Sequence, residues 1–153
     1  MNLFIILLFV LASVKCEVVE VENGKVKGIL IKTRSGKSVH AFYKIPYAEP
    51  PVNELRFKDP KPAKNWIGTL NSTESGPCCY QTPTKVIKDV MSEDCLHLDV
   101  FTKSLTTLKP VIVWIHGGGF ELKSKLNLSK FHMLLFHFSI TNFDNRHFSF
   151  DGP

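Results

Sequence analysis

The sequence predicts an α/β protein in which antiparallel N-terminal strands lead into a central sheet. Two observations support this class. Residues 17–33 alternate apolar and polar side chains on both sides of Asn23-Gly24, a pattern typical of a β-hairpin. Residues 111–115 are apolar without alternation, which is typical of a strand covered on both faces. Such a strand implies a sheet with helices above and below it, as in an α/β protein.

The first sixteen residues are expected to be a signal peptide. Residues 3–12 form an unbroken apolar run that is too short to span a bilayer and has the length of a signal-peptide core. Val14 and Cys16 suit the −3 and −1 positions of a cleavage site before Glu17. A buried N-terminal strand or helix is the alternative. The mature chain is expected to be secreted, and no later segment is long enough to cross a membrane.

The elements that follow are predicted in chain order. A turn at residues 34–37 leads into a third strand over 38–48, which extends the hairpin into a small antiparallel sheet. Residues 49–83 are rich in prolines and are predicted to be an ordered surface excursion with apolar anchors. Residues 93–101 alternate again and are predicted to form a strand.

The last part of the chain receives no predicted element. Residues 125–153 are rich in phenylalanine, and no amphipathic period persists along them. A helix of the core would show such a period. This stretch is therefore treated as a divergent tail without an assigned structure.

Charge and composition exclude two classes of binding site. The formal charge is +5, from 19 basic and 14 acidic residues. The basic residues are scattered singly, so no nucleic-acid-binding surface is predicted. The histidines show no metal-ligand spacing, and neither a metal nor another cofactor is predicted.

Three cysteines remain after removal of the leader: Cys78, Cys79 and Cys95. Two of them are expected to pair in an oxidising compartment. Adjacent cysteines rarely bond each other, because a disulfide requires converging Cβ vectors and a larger Cα separation. The residues alone therefore leave Cys95 paired with either Cys78 or Cys79. Closing a loop of this length is worth about 3 kcal/mol.

Two N-glycosylation sequons occur, at Asn71 and at Asn127, each with a hydroxyl residue two positions later. Both asparagines are predicted glycosylation sites. Asn71 is the stronger candidate because it lies in a polar, turn-rich stretch.

Three consecutive glycines, residues 117–119, follow the apolar run and His116. Glycines at the end of a buried strand can hold a phosphate, form a tight turn or present backbone N–H groups to an oxyanion. The phosphate interpretation fails because neither G-x-G-x-x-G nor G-K-[ST] spacing follows. The H-G-G-G order favours the oxyanion interpretation, since this motif forms the donor loop of lipases and esterases. A plain tight turn is the alternative.

The chain resembles the N-terminal portion of a type-B carboxylesterase, in the cholinesterase-like branch of the α/β-hydrolases. The resemblance rests on four stretches in the family's order, IPYAEPPVNELRFKDPKP, the turn ending in CCYQ, SEDCLHLDVFT and KPVIVWIHGGGF, and it ends at Leu122. It implies that residues 17–124 are the N-terminal part of a carboxylesterase domain. The implied fold is the N-terminal portion of an α/β-hydrolase fold, incomplete in this chain.

The resemblance also implies roles for the glycine loop. Gly118 and Gly119 would donate their backbone N–H groups to the oxyanion of a tetrahedral intermediate, and one such donor is worth about 3–4 kcal/mol. In α/β-hydrolases the catalytic base follows the nucleophile and the acid along the chain. His116 precedes both positions, so it is expected to shape the loop and not to act as the base.

Two structural pairs are implied by the same resemblance. Cys79 would form the disulfide with Cys95, which leaves Cys78 unpaired. Arg56 and Glu93 would form a buried ion pair that ties the proline-rich excursion to the following strand. Breaking one side of a buried pair costs several kcal/mol.

The implied activity is hydrolysis of a small-molecule carboxylic ester by a secreted serine esterase through an acyl-enzyme, without a cofactor. No G-x-S-x-G occurs in the 153 residues, so the nucleophile is absent, as are the acid and the base expected after it. The chain is therefore expected to be truncated and inactive by itself. The alternatives are a non-catalytic, cholinesterase-like adhesion or binding protein and a short secreted binding protein.

Overall fold

The computed structural model describes residues 16–33, 35–82, 90–119 and 121. They contain one five-stranded sheet. Its strands are β1 (Cys16–Val21), β2 (Gly24–Lys32), β3 (Ser38–Pro46), β4 (Thr69–Asn71) and β5 (His97–Thr102), and a 3₁₀ turn lies at Asn53–Leu55. The strand order is β1-β2-β3-β5, and β4 pairs with β2. The described ranges contain no α-helix.

The first two strands form the hairpin predicted at Asn23-Gly24, with Val21 opposite Gly24. Gly24 has φ +141°, which L side chains rarely adopt. A Cβ at this position would lie 2.6 Å from Nε1 of Trp66. The same Nε1 donates a hydrogen bond of 2.8 Å to the carbonyl of Lys25. The bare backbone of the turn therefore lets the proline-rich excursion dock on the hairpin.

The edge of β2 opposite β1 is shared by two strands. Residues 25–27 pair in parallel with β4, and residues 29–32 pair antiparallel with β3. Ser72, just after β4, donates its N–H to the carbonyl of Lys27 at 2.8 Å and accepts from the N–H of Tyr43 at 2.8 Å. These bonds insert the end of the excursion between β2 and β3.

The pairing of β3 with β5 is interrupted by a bulge between residues 42 and 45. Lys44 lies there with φ +55°, and its N–H donates to Oδ1 of Asp99 at 2.9 Å. The adjacent Tyr43 packs edge-on against Phe101, with ring centroids 5.5 Å apart. Burial raises the pKa of the Tyr43 hydroxyl, and the Asp99 carboxylate adds to this rise. The carboxylate thus satisfies a backbone donor that the bulge removes from the ladder.

The core lies at the centre of β2 and β3. Val26 is fully buried, and Ala41, Phe42 and Tyr43 are also buried. A Cβ at Gly28 would lie 2.5 Å from the Phe42 ring and 2.6 Å from the carbonyl oxygen of Ala41. The missing side chain at Gly28 therefore allows the two strands to approach closely.

The predicted hairpin, the third strand and the strand within residues 93–101 are confirmed as β1 to β3 and β5. The strand predicted over residues 109–115 is not: these residues belong to no strand of the described structure. Residues 111–115 are between 53% and 82% exposed. The expected burial on both faces is therefore wrong for this structure, because a strand is covered only where other elements pair with it and pack on it.

Two predicted segments cannot be placed in the fold. Residues 1–15 of the predicted signal peptide lie outside the described residues, as does the tail over residues 125–153. Cys16, the last residue of the predicted leader, begins β1 opposite Ile29 and is exposed.

Candidate functional site

The backbone of the glycine loop has the conformation that glycine favours. Gly118 has φ +139° and Gly119 has φ +62°, both in the region that L side chains rarely adopt. A Cβ built on Gly117 or Gly119 meets no atom within 4 Å. The need for glycine at position 119 therefore comes from the backbone angle and not from crowding by a neighbour.

Two hydrogen bonds shape this loop. The N–H of Glu121 donates to the carbonyl of Gly118 at 3.1 Å, which closes a turn around Gly119. His116 Nδ1 lies 3.0 Å from the carbonyl oxygen of Gly117, so it donates when that nitrogen carries the proton. The histidine thus contacts the glycine backbone, as a loop-shaping role requires.

The amides of Gly118 and Gly119 are the chemically useful groups here. Within the described part of the chain, neither N–H donates a hydrogen bond to a protein acceptor. Free, adjacent N–H groups in a turn with positive φ can converge on one anionic oxygen. This arrangement suits charge that develops on a carbonyl oxygen during acyl transfer.

The structure shows which of the two adjacent cysteines forms the disulfide with Cys95. Cys79 is bonded to Cys95, and Cys78 is free and buried. Cys78 forms an isolated parallel bridge with Met91. The N–H of Cys78 donates to the carbonyl of Val90, and the carbonyl of Cys78 accepts from the N–H of Ser92. Because successive side chains of an extended segment point to opposite sides, Cys78 faces inward while Cys79 is exposed. Alternation is therefore the local reason that these neighbours differ in environment.

The predicted ion pair is present, although its environment differs from the expected one. Arg56 Nη1 lies 3.2 Å from Glu93 Oε1, with the two side chains 57% and 37% exposed. The pair is therefore not buried, and solvent screens it. The Arg56 guanidinium also lies over the ring of Phe57, 5.2 Å from its centroid. Because Phe57 is itself 92% exposed, this contact shields neither group from water.

The two predicted glycosylation sites differ in what can be said of them. Asn71 is exposed at the end of β4, and the hydroxyl of Thr73 donates to its Oδ1 at 3.0 Å. Asn127 lies outside the described residues. The sequon at Asn71 is the one with a defined geometry.

Several polar side chains outside the glycine loop lie close together in the described structure. A cavity of about 490 Å³ is lined in part by Lys44, Ser75, Ser92 and Asp94, and it includes none of the loop glycines. Asp94 Oδ1 lies 3.3 Å from Nε2 of His97, which is consistent with a structural contact. No group of three or more His, Cys, Asp or Glu side chains in the described ranges could hold a metal ion.

The sequence did not predict the contact between Asp99 and the bulge at Lys44. A signal was present, since Asp99 places a carboxylate in the middle of the strand HLDVFT. Such an acid within a half-buried strand indicates a backbone donor that the ladder leaves unpaired.

In the described residues, no helix is long and apolar enough to cross a membrane. Residues 15–139 match the model of the carboxylesterase family. This match continues past Leu122, where the resemblance seen in the sequence ends.

Several curated proteins are similar to the chain over about the same region. It is 39% identical over 114 residues to a carboxylic ester hydrolase of Bombus ignitus, covering 69% of this chain and 20% of that protein. It is 43% identical over 114 residues to acetylcholinesterase-1 of Trittame loki, covering 67% and 20%. Esterase E4 of Myzus persicae is 39% identical over 112 residues, with the same two shares, 67% and 20%. The chain spans about a fifth of the length of the curated relatives it matches.

Proposed function

We propose that the glycine loop of this chain, which belongs to the carboxylesterase family, forms the oxyanion hole of a serine carboxylesterase. The mostly antiparallel sheet is the N-terminal portion of an α/β-hydrolase fold. The observation that carries the proposal is the pair of consecutive positive-φ glycines, Gly118 and Gly119, directly after His116 and Gly117. The intact donor loop favours hydrolysis over adhesion, because a non-catalytic binding protein has no use for these donors.

The loop acts on the charge that appears during acyl transfer. A serine oxygen attacks the ester carbonyl, and the carbonyl oxygen becomes an oxyanion in the tetrahedral intermediate. The N–H groups of Gly118 and Gly119 donate to that oxygen and are oriented before the reaction by the turn that Glu121 closes. Losing one donor of this kind lowers kcat about 10²–10³-fold. The substrate class is a small-molecule carboxylic ester, and this chemistry requires no cofactor.

The loop cannot complete the reaction with the residues of this chain. The family's nucleophile lies in a G-x-S-x-G motif, which the 153 residues do not contain. Hydrolysis therefore belongs to a protein in which these residues are joined to the nucleophile, the acid and the base. The 153-residue chain by itself is expected to be inactive. The apolar leader supports secretion of that protein.

The first test is the native transcript. Sequencing across the codons for Phe120 to Lys130 should show a frame that continues to a G-x-S-x-G motif. In the encoded protein, Gly119→Ala should lower kcat toward an aryl acetate about 10²–10³-fold while KM changes little. Gly117→Ala is the matched control, because the φ of Gly117 is not positive and a Cβ there would meet open space.

Three results would contradict the proposal. A transcript that ends after Pro153 would leave the donors without a nucleophile. An unchanged kcat in Gly119→Ala would remove the loop from the chemistry. Saturable, organophosphate-sensitive turnover by the purified 153-residue chain would show that the reactive groups lie within it.

A further inference from the structure

Asn23 joins the turn between β1 and β2 to the proline-rich excursion. Its Nδ2 donates to the carbonyl of Ala63 at 3.1 Å and to Oδ1 of Asn65 at 3.0 Å. A carboxamide nitrogen carries two hydrogens, so both of its donors are used. The carbonyl of Asn23 accepts from the N–H of Trp66 at 3.0 Å. Residues 63–66 therefore hold both the side chain and the backbone of this turn residue.

The residue that follows Asn23 makes the same carboxamide chemically labile. Among the asparagines of the 153 residues, only Asn23 precedes a glycine. The backbone nitrogen of Gly24 can attack Cγ of Asn23 to close a five-membered imide, and the absence of a side chain on Gly24 leaves that approach open. Closure requires the carboxamide to turn toward this nitrogen. The bonds to Ala63 and Asn65 hold it against the excursion instead.

We propose that Asn23 is a deamidation site of this protein and that the docked excursion protects it. The Gly24 nitrogen bonds to Cγ of Asn23 and loses its proton. The bond from Cγ to Nδ2 breaks, and Nδ2 takes up a proton and leaves as ammonia. Water then opens the imide at either carbonyl and gives aspartate or isoaspartate. The reaction consumes one water and needs no oxidant or reductant, and the inference is independent of the proposed esterase function.

Both products hinder the excursion from docking again. An aspartate carboxylate only accepts hydrogen bonds, so it cannot donate to the carbonyl of Ala63 or to Oδ1 of Asn65. An isoaspartate carries the chain through Cγ and adds a methylene to the backbone, which lengthens the turn between Val21 and Gly24. Deamidation of the turn thus makes the undocking of residues 63–66 irreversible.

The test compares deamidation of the folded and the unfolded 153-residue chain. Both samples are kept in the same mildly alkaline buffer, one of them with denaturing guanidinium chloride, and peptide mass spectrometry follows each asparagine. In guanidinium chloride Asn23 should react faster than every other asparagine. In the folded chain it should react at least about tenfold more slowly than in guanidinium chloride, because attack then requires local opening.

Two variants connect this protection to the contacts of the carboxamide. Asn65→Ala removes one acceptor of Nδ2 and should raise the rate at Asn23 in the folded chain about 2–10-fold. Thr73→Ala is the matched control, because it removes another exposed hydrogen bond between side chains, to Asn71, and should leave the rate at Asn23 unchanged.

A further variant tests the consequence of the reaction. Asn23→Asp retains a residue favoured before glycine in hairpin turns, so β1 and β2 should still pair. The amide of Trp66 should exchange with solvent about tenfold faster or more, as measured by NMR, while the β2–β3 ladder stays protected. Equal rates at Asn23 in the folded and unfolded samples would overturn the inference, as would a rate in guanidinium chloride no higher than at the other asparagines. Unchanged exchange at Trp66 would overturn it as well, because docking would then not depend on the carboxamide.

Discussion

The paired strands β2 and β3 and the segment of residues 109–119 each contain consecutive apolar residues but lie in opposite environments. Val26 in β2 is 0% exposed, whereas Val113 in the segment is 56% exposed. The partners of β2 are reached through a two-residue turn to β1, the turn to β3 and, for β4, the proline-rich excursion of the same chain. No described residue pairs with the segment. Burial of a strand therefore depends on where its partners lie, and hydrophobicity alone does not provide them.

Hydrogen exchange should show the largest difference between these regions. Alternate amides of residues 29–32 are held in the β2–β3 ladder, while residues 111–117 form no ladder. Exchange of the ladder amides requires opening of the sheet, so the rates should differ by about 1,000-fold or more. Exchange of the intact 153-residue chain, followed by mass spectrometry of its peptides, measures this. Equal protection in both regions would contradict the comparison.

Matched valine truncations should sharpen the same contrast. Val26→Ala removes buried methyl groups from the core and should lower the free energy of unfolding by about 2–3 kcal/mol. Val113→Ala makes the same chemical change at an exposed position and should stay within about 0.5 kcal/mol. Urea unfolding of the full chain gives both values. A large loss in Val113→Ala would place residue 113 in a core that the structure does not contain.

Matched glycine substitutions examine the backbone in the two regions. Gly28→Ala places a Cβ 2.5 Å from the Phe42 ring and 2.6 Å from the Ala41 carbonyl oxygen. The strands must move apart, at a cost of about 1–3 kcal/mol. Gly117→Ala meets open space and should change stability by no more than about 0.5 kcal/mol. The midpoints of thermal unfolding compare the two variants, and equal shifts would contradict the close approach of β2 and β3 at Gly28.

The part of the fold predicted from sequence is the part held by local pairing. Asn23-Gly24 fixes the register of β1 with β2, because the turn type sets which residues face each other. The parallel insertion of β4 beside β2 was not predicted, since the two residues of every pair, such as Lys25 and Thr69, are more than forty positions apart. Short three-residue strands also carry too little alternation to be recognised.

The candidate site shows the same division. The three glycines predicted a loop of bare backbone, and the positive φ angles of Gly118 and Gly119 agree with that prediction. The environment of Arg56 and Glu93 was not predictable in the same way. A spacing in the sequence identifies which groups can meet, but exposure depends on the elements packed around them. The bulge contact of Asp99 likewise depends on tertiary pairing.

The smallest expected effect concerns the ion pair of Arg56 with Glu93, which links the proline-rich excursion to the segment before β5. Because Arg56 and Glu93 are 57% and 37% exposed, Glu93→Gln should lower the free energy of unfolding by no more than about 1 kcal/mol. The difference should shrink at high salt, since screening weakens exposed pairs. Glu49→Gln is the comparison variant, because Glu49 Oε2 lies 2.9 Å from Nζ of Lys64, and these two side chains are 21% and 79% exposed. Urea unfolding at low and high salt compares the variants. A salt-independent loss of several kcal/mol in Glu93→Gln alone would show a buried pair, and would mean that elements not among the described residues cover this part of the sheet.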